Sequence, residues 1–217
     1  MKTNLFHNNI NEMAIQRVYY DVDLQLSTID EAKEQLKLIF DTSFREIAAK
    51  YLPEINFILT KYPELINTNL TLSKYATPRS PAFLIFNMLQ TTLLTNKQFK
   101  RLLKTVIKNS DNLEIDTSTA RRNVTPLMLI ATIDDKELIE LITSRDVNLN
   151  AQNKSDETPL FYAIRHNIPY NVQLLLSLGA DPSIKNNQGQ TPRTFALRQG
   201  LDECYSILTN YNAPLGF

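Results

Sequence analysis

An all-α solenoid of about five helix-turn-helix units, with atypical N- and C-terminal ends, is the fold class this sequence predicts. Three observations lead there. Thr125-Pro126, Thr158-Pro159 and Thr191-Pro192 stand 33 residues apart with no slippage, and self-similarity at a fixed period marks stacked repeats. Each Thr-Pro opens an apolar run followed by a second one, with Leu138, Leu141 and Ile142 in one unit and Val172, Leu175 and Leu176 in the next. Three of only four glycines, Gly179, Gly189 and Gly200, fall between these runs, where a helix must end and the chain reverse.

The recurring phrase has a physical reason. Proline fixes φ and lacks an N–H, so it suits the first helical position, with threonine before it as N-cap. Leu127 and Leu160 then begin an inner helix and face the core. Gly179 stands where the outer helix exits through a left-handed residue. Asn212 takes that place one unit later, and Asn167 replaces the inter-helix glycine that Gly200 supplies. With Ala163, Val172-Gln173-Leu174-Leu175-Leu176, Gly179-Ala180-Asp181 and Asn187-Gln188-Gly189-Gln190, the stretch resembles the ankyrin consensus. The resemblance implies an ankyrin-repeat solenoid that binds other proteins.

The chain divides accordingly. Residues 1–42 read as an N-terminal capping segment. Within it, residues 18–26 alternate apolar and polar side chains as a strand buried on one face does. That strand either lies on the first helices as a cap or offers an edge for strand addition by another chain. Thr28 and Glu31 are spaced as a capping box opening a helix over 29–40 that buries Ile29, Ala32, Leu36, Ile39 and Phe40. Residues 43–79 form a degenerate unit whose second helix opens at Pro53 and carries Ile55, Phe57, Ile58 and Leu59. Residues 80–124 form an extended unit beginning at Ser80-Pro81. Starting at Thr77 would instead put Pro81 inside the helix and remove a hydrogen bond. An insertion lies between 89 and 124. Regular repeats follow over 125–157 and 158–190, and 191–217 is a C-terminal capping repeat with a polar exterior, as a solenoid end requires.

Composition narrows the function. The 217 residues are 43% hydrophobic and 21% charged with zero formal net charge. That balance is ordinary for a soluble protein and gives no electrostatic drive toward nucleic acid. The longest apolar run, Ala82 to Phe86, is far too short to span a bilayer, and residues 1–9 carry no signal-length apolar stretch, so a cytoplasmic location is expected. The single cysteine, Cys204, agrees with a reducing compartment and reads as packing. His7 and His166 have no metal-ligand spacing to each other or to Cys204. No phosphate loop, nucleophile elbow or His-Glu-Xaa-Xaa-His occurs. No catalytic residue, metal or cofactor is therefore expected.

The repeat register nominates a binding face. Ankyrin proteins usually hold partners by the hairpin tips and the exposed side of the inner helices, the concave groove. The resemblance places Thr132, Arg165 and Arg198 there as one column, with Ile133, His166 and Gln199 as an exposed column beside it. The tips contribute Arg121, Arg122 and Asn123, then Lys154, Ser155, Asp156 and Glu157, then Asn187, Gln188 and Gln190. Such a surface suits an acidic or aromatic segment of a protein partner. Away from it, Lys97, Lys100, Arg101, Lys104 and Lys108 share one helix face. They serve phosphates or an acidic membrane surface or, as the better reading, form ion pairs by stacking with Asp134, Asp135, Glu137 and Glu140.

The expected function is non-enzymatic protein recognition through the groove by a chain that is monomeric when unbound. Abundant Asn, Ile and Lys with few glycines suggest a low-GC genome. The sequence resembles the ankyrin-repeat proteins that intracellular bacteria export into host cells, which implies an effector acting on a host protein. Two rivals stand beside it. An adaptor would recruit a second protein through the 18–26 strand or through Leu52-Pro53-Glu54-Ile55, which resembles the opening of an F-box. A regulatory or inhibitory subunit would block an enzyme's surface.

Overall fold

The structure, a computed structural model, describes residues 28–43, 47–73, 75, 79–92, 97–111 and 123–211. The expected strand over 18–26, Arg121, Arg122 and Asn212 lie outside the described residues.

Thr28 caps α1 (Ile29–Asp41) with a capping box: its Oγ1 accepts from the Glu31 amide while Glu31 accepts from the Thr28 amide. Ala32, Leu36, Ile39 and Phe40 are buried, but Ile29, in the first turn, is exposed. A short π-type turn, Ile47–Tyr51, leads into α2 (Leu52–Lys61), and a 3-10 turn, Pro63–Ile66, follows. Leu52 and Ile55 are buried, and Glu54 accepts a 2.7 Å hydrogen bond from Gln35 of α1. Of the four residues that look like an adaptor motif, Leu52 and Ile55 face the core at the start of a helix, while Pro53 and Glu54 are half-buried. Phe57, expected in the same core, is instead exposed.

From Pro81 onward the helices come in pairs. They are α3 (Pro81–Thr92) with α4 (Lys97–Asn109), α5 (Pro126–Ile130) with α6 (Lys136–Thr143), α7 (Pro159–Arg165) with α8 (Pro169–Ser177), and α9 (Pro192–Gln199) with α10 (Asp202–Asn210). Ser80 caps α3, its hydroxyl accepting from the Phe83 amide at 3.3 Å. Thr125 and Thr191 cap α5 and α9 in the same way, each from the amide three residues on. The surplus length of the 80–124 stretch lies partly in these helices. The α3/α4 pair runs 12 and 13 residues where α5/α6 runs 5 and 8.

Inner helices α3, α5, α7 and α9 touch in sequence, as do outer helices α2, α4, α6, α8 and α10. Two parallel rows thus enclose one continuous apolar layer, and the described residues contain a single isolated antiparallel bridge, Leu70 to Arg79, but no strand. The architecture is an all-α solenoid.

Backbone geometry repeats with the sequence. Asn123, Asp156 and Gly189 lie 33 apart and all have positive φ, at 49°, 57° and 72°. Asn167 and Gly200 repeat in the same sense at 51° and 67°. Asn and Asp visit the left-handed region at lower cost than other side chains, so two units manage these turns without glycine.

Polar ties fix one pair on the next. Asn171 of α8 is fully buried and donates to the carbonyls of Ala131 and Ile133, both at 3.1 Å, at the end of the preceding inner helix. Arg145 donates to the carbonyls of Ile107, Lys108 and Ser110, capping the negative end of α4 from the following unit. Phe161 and Phe195 meet edge to face, with ring centroids 5.6 Å apart.

Asn171→Leu keeps the branched side-chain shape but leaves the carbonyls of Ala131 and Ile133 without this donor. Urea unfolding should show a loss of about 1–3 kcal/mol, and an unchanged midpoint would mean those carbonyls are otherwise satisfied.

Candidate protein-binding groove

The hairpins between units are built on one asparagine each. Asn153 Oδ1 accepts from the amides of Ser155 (2.7 Å) and Glu157 (3.0 Å). Asn186 Oδ1 does the same for Gln188 (3.1 Å) and Gln190 (3.0 Å). Neighbouring tips are stitched together by the Asn187 amide, which donates to the Ser155 carbonyl at 2.9 Å. Sequence reading missed these two asparagines as scaffold, although their 33-residue spacing was available as the signal.

Those tips reposition several predicted contacts. Gln190 is only 7% exposed, because its Oε1 accepts from Asn186 Nδ2 at 3.1 Å. Glu157 is 8% exposed and is held by Asn153 Nδ2 at 3.2 Å and by Arg165. Neither side chain is free to meet a partner. Ile133 was expected to be exposed and is 2% exposed, turned into the core beyond the end of α5. Its column position lies where α5 has already stopped, so the local backbone and not the inner-helix face sets its direction. Lys154, Asp156, Asn187 and Gln188 are exposed at the tips.

On the inner helices the three members of the column differ. Thr132 is half-buried and spends its hydroxyl on the Leu129 carbonyl at 2.7 Å. Arg165 is ion-paired to Glu157, and its guanidinium lies 5.7 Å from the Tyr162 ring centroid and 5.4 Å from that of Phe195. Arg198, one repeat on, faces a neutral Gln190 in the register where Arg165 finds Glu157. Among the described residues it has no ionic partner. His166 and Gln199 are exposed beside them. Burial, reinforced by the Arg165 charge, holds the His166 imidazole below its ordinary 6.5, so it is neutral at pH 7. The positive charge that the sequence suggested as a column is thus concentrated at Arg198.

At the far ends of α5 and α7, a hollow of about 300 Å³ is lined by Lys100, Thr132, Ile133, Asp134, His166, Asn167 and Ile168. Its cation is already engaged: Lys100 pairs with Asp135 at 3.2 Å and donates to the Asp134 carbonyl at 3.3 Å. Lys104 pairs with Glu137. Two cations on the basic face of α4 are thus ties to the next unit, while Arg101 and Lys108 on it are exposed and Glu140 accepts from the Tyr170 hydroxyl instead. Asp135 also caps α6 from the Leu138 amide at 3.1 Å. Burial pushes its carboxyl upward, but the Leu138 amide together with the hydrogen bond and charge of Lys100 outweighs it and holds the group below 3.8.

Cys204 is buried under α10, and desolvation, with the nearby Glu203 charge, pushes its thiol up to about 11. Among the described residues no group of three or more His, Cys, Asp and Glu is gathered as metal ligands would be, and no helix is long and apolar enough to cross a membrane.

A row of helix pairs with hairpin tips along one edge defines a class of protein architecture, the repeat solenoid. The family model for ankyrin repeats, in three copies, matches residues 94–186, so this part of the chain is similar to ankyrin repeats. Among relatives, the chain is 45% identical over 64 residues to a putative ankyrin repeat protein of Rickettsia felis, covering 26% of this chain and 27% of that one. It is 36% identical over 66 residues to NF-kappa-B inhibitor alpha of Rattus norvegicus, covering 30% of this chain and 21% of the relative. It is 41% identical over 102 residues to glycerophosphocholine phosphodiesterase gde1 of Schizosaccharomyces pombe, 46% of this chain but 9% of that enzyme. The chain spans less than a third of the length of each.

Two outcomes check this geometry. Because the Asp135 pKa is lowered on folding, its contribution to stability is complete above 3.8 and is lost as pH falls below that value through the folded pKa. Asp135→Asn should therefore show a smaller loss of denaturation midpoint than the parent chain between pH 5 and about pH 3; parallel curves would contradict it. Cys204 should resist alkylation at pH 8 in the native chain and react promptly in denaturant, as mass spectrometry would show.

Proposed function

We propose that this chain is a non-catalytic recognition module that holds a protein partner along its concave groove. The inner-helix contacts are Arg165, His166, Arg198 and Gln199, with Thr132 at the margin, and the tip contacts are Lys154 and Gln188. Arg122 joins the tips by sequence register alone. The observation that carries this reading is the asymmetry of the arginines. Arg165 is paired with Glu157 and lies against two aromatic rings, whereas Arg198 has no ionic partner among the described residues. An Arg fork on a rigid helix recognises carboxylates well, so the partner segment is acidic, with aromatic or apolar residues lying toward His166.

The reading extends to an exported bacterial protein acting in a host cytoplasm; the Rickettsia felis relative supports only its being similar to a bacterial ankyrin repeat protein. The likeness to an NF-kappa-B inhibitor supports a second reading in which the groove masks a regulated protein. Both use the same surface. The match to gde1 covers too little of that enzyme to suggest catalysis here. The chain acts as a monomer before it meets its partner.

A photo-crosslinking residue at His166 or Gln199 should capture the partner, while one at Gln173 on the outer row should not. Arg198→Glu should weaken binding at least tenfold with unchanged helical circular dichroism. Arg165→Glu is a poor test, since it would set two carboxylates against each other beside a buried Glu157. Capture at Gln173 alone, or full affinity in Arg198→Glu, would discard the groove.

A further inference from the structure

The hollow beyond the ends of α5 and α7 exists because two consecutive turns differ. Asn167 passes through its turn with a φ of 51°, and His166 before it stands exposed. One repeat earlier, Asp134 holds the Asn167 register without a positive φ. Ile133, in the His166 register, is turned inward, its amide bonded to the Ile130 carbonyl at 2.9 Å. The surface that Ile133 gives up becomes the hollow of about 300 Å³, at the small end of ligand sites. Ile133 and Ile168, 2% and 7% exposed, form its apolar base, and Asp134, His166 and Asn167 stand exposed around it. The donors of the lining are nearly all spent. The amides of Thr132, Ile133, His166, Asn167 and Ile168 bond to carbonyls of their own units, and Pro169 has none to offer. The Thr132 hydroxyl donates to Leu129, and the Lys100 ammonium serves Asp135 and the Asp134 carbonyl. The acceptors are not spent. The Asp134 carboxylate has no ionic partner among the described residues, and neutral His166 keeps one ring nitrogen as an acceptor. Charge points the same way, because Asp135 offsets Lys100 and Glu157 offsets Arg165, which leaves Asp134.

We propose that this hollow anchors a basic side chain of the protein partner, its aliphatic stem laid on Ile133 and Ile168 and its charged head donating to the Asp134 carboxylate. The proposal rests on the reading above that a protein is held in the groove, but on neither arginine of that reading. An anion would find few donors here and would face Asp134. An apolar side chain would fill the base but strip water from the carboxylate without replacing its hydrogen bonds, which is costly. A lysine or arginine suits both parts, because a long side chain buries its methylenes while its head stays at the rim. With an acidic residue at Arg198 and a basic one at Asp134, two repeats away, the partner segment can lie in one direction only.

The probes are Nα-acetyl-lysine methylamide and its uncharged counterpart, Nα-acetyl-norleucine methylamide, titrated into the isotope-labelled full chain and read from amide chemical shifts. The lysine compound should give saturable shifts at Ile133, Asp134, His166 and Asn167, with a millimolar dissociation constant that weakens with added salt. The norleucine compound should bind roughly fivefold more weakly or worse. Asp134→Asn should weaken the lysine compound by a similar factor, whereas Arg198→Glu should leave it within about twofold. Asp134 is exposed and Asp135, not Asp134, caps α6, so thermal melts of Asp134→Asn should match the parent and keep the comparison valid. Equal binding of the norleucine compound, tighter binding of Nα-acetyl-glutamate methylamide, or no saturable shift up to about 50 mM overturns the proposal. So does putrescine binding roughly tenfold tighter than the lysine compound, because the hollow would then serve a free diamine. The probes need no partner, so a failed groove and a failed hollow are told apart: crosslinking at His166 and Arg198→Glu read the first, these shifts the second.

Discussion

Sideways stacking is the constraint on which this molecule depends. A pair of helices 5 and 8 residues long, such as α5 and α6, is too short to be stable alone and has apolar side chains toward both neighbours. Stability comes from contact with the pair on either side, so each unit must present the same shape to the next. That requirement explains why the turns repeat their left-handed residues at fixed intervals while the side chains there vary among Asn, Asp and Gly. It also explains why polar groups that would be orphaned at helix ends are satisfied from a neighbouring unit, by Asn171 in one direction and Arg145 in the other. Geometry is conserved between repeats because stacking enforces it. Chemistry is free to differ wherever stacking does not reach.

The groove shows the consequence. Glu157 and Gln190 occupy equivalent tip positions and make equivalent hydrogen bonds to Asn153 and Asn186. One is charged and the other neutral, and that single difference ties up Arg165 while leaving Arg198 available. Two arginines in perfect register therefore differ in their surroundings, Arg165 ion-paired and Arg198 without an ionic partner among the described residues. An ion pair formed within the protein costs an incoming carboxylate the exchange of one partner for another, whereas an unpaired guanidinium offers its full interaction. The outer row behaves oppositely. Two of its cations are matched across units, Lys100 with Asp135 and Lys104 with Glu137.

By itself the sequence determined the repeat, its period and its class, and the threonine caps at Thr125 and Thr191, whereas Thr158 makes no side-chain cap hydrogen bond. Thr-Pro pairs, turn residues and apolar spacing are local signals whose meaning follows from backbone sterics, and a period of 33 forces helices that are alike in sequence to be alike in position. Which side chains share a face with their neighbours was also legible for α4 and α6, because complementary charges one period apart must meet when units stack. Tertiary structure alone decided what each exposed-looking residue does. Ile133 carries the same register number as His166 but follows a helix that ends sooner, so it turns inward. Gln190 and Glu157 look like free hairpin tips until the asparagines behind them are seen to hold them. Availability for binding is a property of partners brought close in space by the stack, and a linear order of residues records their identity without recording which of them have already been claimed.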